Sequence, residues 1–137
     1  MPSDLAEEEK KQSKKRRRKR KRIIGFCGQV VPRGDVRETG TLYLTWGGLE
    51  VEVPLASVTK FDTRYRYICA QWVVAAEKGE EILYPVKRAE EGELDPEVRS
   101  LMQEHCVMVE EGKEWLCTEP FFDKLYEKLK EYFGVKD

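Results

Sequence analysis

The sequence predicts an α+β fold: an antiparallel sheet of four to five strands with two helices packed on one face, preceded by a disordered basic arm. Three observations carry this expectation. Alternating apolar patterns dominate residues 23–86, and helical patterns dominate 96–133. Strands followed by helices favour an α+β architecture over a wound parallel sheet. Nine consecutive basic residues, KKRRRKRKR at 14–22, precede the first strand. Such a run repels itself and offers nothing to bury. The expected division is therefore a flexible arm, 1–22, and one domain, 23–137. A small, partly open β-barrel with C-terminal helices is the alternative, because glycine-broken strands can curl.

Each element has a local reason. IIGFCGQVV, 23–31, is rich in β-formers, and Gly25 and Gly28 suggest a bulge. Pro32-Arg33-Gly34-Asp35 is turn chemistry. TLYLTW-GG-LEVEV is the clearest signal, a hairpin closed by Gly47-Gly48. Counting outward from that turn, Trp46 faces Leu49, Leu44 faces Val51 and Leu42 faces Val53. All six share one face.

Residues 65–76, YRYICAQWVVAA, read as a third strand, since β-branched and aromatic residues outweigh a helical reading. EILYPV, 81–86, reads as another strand, placed near a sheet edge by Pro85. Asp95-Pro96 signals an N-cap and first turn for a helix over 96–106, with Val98, Leu101 and Met102 inward. Residues 107–117 suggest a short hairpin around Glu111-Gly112. Thr118 is placed to cap a final amphipathic helix whose apolar face is Phe122, Leu125, Tyr126, Leu129, Tyr132 and Phe133. Gly134 ends it.

The net charge of -1 hides a strong polarity. Residues 1–22 carry 11 Lys and Arg against four acids, a surplus of seven, while the remaining 14 basic and 22 acidic residues leave a deficit of eight. The arm's cations are Lys10, Lys11, Lys14, Lys15, Arg16, Arg17, Arg18, Lys19, Arg20, Lys21 and Arg22. Cations in this density neutralise phosphates and release counterions, which drives sequence-independent affinity for DNA or RNA. In KFDTRYRY, 60–67, Lys60, Arg64 and Arg66 alternate with aromatics, a pattern that suits stacking and phosphate contact. The expected function is a small non-enzymatic nucleic-acid-binding protein. The alternative is a protein-interaction module, whose arm docks on an acidic partner or a second copy, or serves as a nuclear targeting signal.

Other chemistry is sparse. His105 is the only imidazole, and its neighbour Cys106 points elsewhere on a helix. The four cysteines show no metal-ligand spacing. Cys27 and Cys69 read as small buried hydrophobes. Cys106 and Cys117 flank the 107–116 segment and form a candidate disulfide. The acidic runs 90–97 and 110–114 lack calcium-loop spacing. No nucleotide-binding or hydrolase motif is present, so neither enzyme activity, cofactor nor metal is expected. No apolar run is long enough to span a membrane, and an intracellular, cytoplasmic location is expected, or a nuclear one in a eukaryote. The absence of Asn beside abundant Lys, Arg and Glu resembles the composition of small proteins from hyperthermophilic archaea and their viruses. That likeness carries no motif and assigns no site.

Overall fold

A computed structural model describes residues 20–62, 64 and 66–135. The described residues form one open, wholly antiparallel sheet of eight strands with three helices. The expected class is present, but the strand count exceeds the expected four to five. The strands are β1 (Arg20–Val30), β2 (Thr41–Trp46), β3 (Leu49–Pro54), β4 (Val58–Asp62), β5 (Tyr67–Ala76), β6 (Leu83–Arg88), β7 (Cys106–Glu110) and β8 (Glu114–Thr118). Their order across the sheet is β4-β5-β1-β2-β3-β6-β8-β7. The helices are the one-turn α1 (Val36–Thr39), then α2 (Pro96–His105) and α3 (Glu119–Phe133). The extra strands are short, and β4 was hidden because VTKFD has no alternation to read.

The β2–β3 hairpin has the expected register, with Trp46 opposite Leu49, Leu44 opposite Val51 and Leu42 opposite Val53. Gly47 and Gly48 have φ of 62° and 87°, the positive values that this two-residue turn requires. A side chain at Gly48 would also come within 2.5 Å of the Glu93 carbonyl oxygen, so the loop before α2 packs directly on the turn.

β1 is the centre of the molecule. Its ladder with β5 runs unbroken from Arg20 opposite Ala76 to Gln29 opposite Tyr67, so the suggested bulge is absent. Residues 24–28 are buried on both faces. A Cβ at Gly25 would lie 2.7 Å from the Tyr126 ring, which explains that glycine as a seat for α3. α3 follows β1 along its length: Glu119 pairs with Arg22 at one end, and Phe133 stacks on Tyr67, the neighbour of Gln29, at the other. The two lengths agree, since 14 helical steps and seven strand steps each span roughly 20 Å.

Pro85 is not in an edge strand, since β6 lies between β3 and β8. The β3–β6 ladder covers only Leu49 with Arg88 and Glu50 with Lys87, so at Pro85 only β8 is paired. The missing N–H therefore leaves no gap in a β3 ladder.

Asp95 caps α2, its carboxylate accepting from the N–H groups of Glu97 and Val98 at 2.9 and 3.3 Å. Val98 and Met102 are buried and Leu101 is half-buried. Thr118 stands at the N-cap of α3, but its side chain makes no capping bond and its buried hydroxyl has no hydrogen-bond partner. Phe121 joins Phe122, Leu125 and Leu129 as the buried face of α3, whereas Tyr132 is 66% exposed. Leu125→Ala should therefore destabilise the protein by about 2–5 kcal/mol, measured by chemical denaturation. A loss below about 1 kcal/mol would show that α3 does not close this core.

Both cysteine pairs are disulfides. Cys106–Cys117 has the expected pairing and joins β7 to β8. Cys27 and Cys69, read from sequence as separate buried thiols, are instead bonded to each other across β1 and β5. No helix among the described residues is long and apolar enough to cross a membrane.

Tyr84 ties β6 to β3, its hydroxyl donating to the Glu52 carbonyl oxygen at 2.5 Å. Burial, helped by the Glu52 carboxylate, raises its pKa from 10.0 to about 12. A raised phenol pKa favours the folded state fully below the unfolded value, and that advantage is lost as pH climbs from about 10 to about 12. The fall in stability over this window should be smaller in Tyr84→Phe than in the parent, measured by denaturant titration at both pH values. Equal falls in the two proteins would contradict the assignment.

Candidate nucleic-acid interface

The expected interface has two parts, and β1 separates their described residues, Arg20, Lys21 and Arg22 from Lys60, Arg64 and Arg66. Lys10, Lys11, Lys14, Lys15, Arg16, Arg17, Arg18 and Lys19 lie outside the described residues. Arg20, Lys21 and Arg22 belong to β1, so the boundary placed at Arg22 falls inside a strand. β-Propensity is a weak guide here, since basic residues join a strand when the following IIGF segment sets the ladder.

Beyond the pairing of β2, which reaches β1 only near Gln29 and Val30, and of β4, which reaches β5 only to Ala70, β1 and β5 continue as a pair alone. Arg20 to Ile23 opposite Val73 to Ala76 is thus a two-stranded ribbon. Arg20, Lys21 and Arg22 are all exposed on it, and Ile23 and Val73, paired with each other, are 61% and 60% exposed. A two-stranded ribbon is narrow enough to enter a major groove. Arg22 is partly committed elsewhere, its Nε 3.5 Å from Glu119 Oε1.

The second part sits at the other end of β1. Lys60 is exposed on β4, beside an irregularity in its pairing with β5. Arg64 lies in the turn that follows, its backbone N–H bonded to Asp62 Oδ1 at 2.8 Å. Arg66 is exposed with φ of 56°, the one described non-glycine residue in the left-handed region. Such a conformation is costly for a long side chain and needs local support. Arg66, Phe61, Val30, Gln29 and Ile68 line an open cleft of about 510 Å³. Phe61 is 64% exposed there. A cation beside an open aromatic ring offers a phosphate contact and a stacking surface together.

Among the described residues, Arg20, Lys21 and Arg22 therefore share no contiguous patch with Lys60, Arg64 and Arg66. Nine strand steps separate Arg20 from Gln29, roughly 30 Å. The antiparallel ladder sends Arg22 and Lys60 toward opposite ends of β1.

A larger cleft, about 670 Å³, was not foreseen. Arg33, Lys87, Arg88 and Lys113 line it with Glu50, Glu90, Glu110 and Glu114. Arg33 bonds both Glu50 and Glu90 at 3.0 Å and lies over the Tyr43 ring. The buried Glu50 is thus neutralised by a partner, as a buried carboxylate must be. Alternating charge makes this cleft a poor polyanion site. Among the described residues, no cluster of three or more His, Cys, Asp or Glu is arranged to hold a metal ion.

Compared with protein-family models, with curated proteins and with solved structures, the chain matches none.

Proposed function

We propose that this protein binds nucleic acid without reading sequence, through the cationic arm and the exposed ribbon from which it extends. The observation that supports this most is the charge division: a surplus of seven in residues 1–22 against a deficit of eight in the rest. An acidic body keeps most of its surface off a polyanion and leaves the arm as the contact. Phe61, Lys60, Arg64 and Arg66 form an auxiliary site for unstacked bases. A duplex reaching both ends of β1 must cover roughly 30 Å, about nine base pairs.

Titration with duplex DNA, single-stranded DNA and structured RNA tests the reading, with and without residues 1–19. Deletion should stop at Lys19 rather than Arg22, so that the β1–β5 ladder stays whole. Comparable affinity of the two proteins at low salt would overturn the proposal.

The same acidic body favours one other reading, in which the arm docks on an acidic protein or a second copy. Complexes that survive nuclease digestion, measured by sizing, support that reading instead.

A further inference from the structure

β7 is an edge strand of the sheet. Its sequence, CVMVE, carries Val107, Met108 and Val109 with 59%, 56% and 55% exposure. All three face solvent, and the pairing with β8 shifts register only after Met108. Isolated exposed apolar residues are ordinary, but three in a row on an open edge form a template for another strand.

The backbone groups that β7 offers can be deduced. Cys106 and Cys117 lie directly opposite each other with Cα atoms 4.1 Å apart. That spacing fits a non-hydrogen-bonded antiparallel pair, near ~4.5 Å, rather than a bonded one near ~5.5 Å. Cys106 therefore points its N–H and C=O away from β8, and its N–H indeed bonds Met102 O at the end of α2. Two residues along, Met108 must also point both groups outward.

We infer that β7 pairs with β7 of a second copy about a two-fold axis at Met108, joining two sheets edge to edge. Met108 then meets Met108 through two N–H···O=C bonds, and Val107 meets Val109. The ends of the strand are complementary under the same axis. Glu110 keeps its own Lys113 at 3.6 Å, while Glu111 in the turn comes to the side of His105, where Lys124 Nζ at 3.3 Å and Glu104 Oε2 at 3.7 Å both approach His105 Nε2. Two-fold symmetry repeats this match of acid against base on both sides. The arrangement also places both arms on one assembly. Arg22 contacts Glu119, which follows two residues after Cys117, and Cys117 is bonded to Cys106 of β7. Two linked arms bind a polyanion more tightly than either alone.

Sedimentation equilibrium of the full, nuclease-treated chain tests the pairing. The parent should approach twice its 16.1 kDa mass as concentration rises, over a range of about 1–100 µM suited to a small interface. Met108→Pro removes an outward donor without touching the β7–β8 bonds, and should remain monomeric with a folded circular-dichroism spectrum. Glu111→Lys, at an exposed position, should weaken association by about tenfold or more. Adding Lys124→Glu should restore it. A parent that stays monomeric throughout would overturn the inference, as would a dimer that Met108→Pro and the charge exchange leave unchanged.

Discussion

Binding to duplex DNA should weaken steeply with salt. About eight cations from Lys10 to Arg22 contacting phosphates give a slope of log K against log salt near -7, or roughly a 10⁴-fold loss between 50 and 200 mM salt. The count is below the 11 cations available up to Arg22, because Arg22 is engaged with Glu119 and not every side chain can reach a phosphate. Removing residues 1–19 takes away eight of those cations and leaves Arg20, Lys21 and Arg22, so the slope should fall to about -3 or shallower. Phe61→Ala should leave the duplex slope unchanged and weaken single-stranded binding by about 1–3 kcal/mol, since stacking contributes only where bases are unpaired. A flat salt dependence in the full chain would remove the arm from the mechanism.

The parts of this fold legible in sequence are those where two local signals agree. At Gly47-Gly48, turn chemistry and strand alternation name the same register, and the chain adopts it. At Asp95-Pro96, cap and first-turn residues agree with the period that buries Val98 and Met102. The parts that were not legible depend on distant chain. β4 has no alternation because its pairing with β5 is irregular and its side chains are mostly exposed. Gly25 looked like a strand defect, yet its reason is Tyr126, about 100 residues away in sequence and touching only after α3 docks.

The site shows the same division. Composition identified the cations, but the position of Arg20, Lys21 and Arg22 relative to Lys60 follows from the β1–β5 ladder, which no local pattern announces. Cys27 and Cys69 illustrate this most directly. Each sits in an apolar strand and reads as an ordinary buried residue. Only the register that puts 27 opposite 69 turns two hydrophobes into a crosslink.

That crosslink leads to the largest stability effect expected in the protein. Cys27–Cys69 closes a sequence separation of 42 residues and Cys106–Cys117 one of 11. In the chain-entropy description, loops of these sizes restrict the unfolded chain by about 4 and about 3 kcal/mol. The loops do not overlap in sequence, so the contributions should nearly add. Their sum is comparable to the whole stability of a typical domain, about 5–15 kcal/mol. Cys27 and Cys69 are fully buried between β1 and β5, so reductant reaches them only when the chain opens. Cys106 is partly accessible and should be reduced first. Reduction under native conditions should therefore proceed in two stages: a modest fall in melting temperature as β7 is released, then loss of the cooperative transition. Cys27→Ala with Cys69→Ala isolates the second stage and should cost more than Cys106→Ala with Cys117→Ala, by thermal and denaturant unfolding. If both double variants matched the parent within about 1 kcal/mol, the sheet would be held by its packing alone and the disulfides would add nothing to its stability.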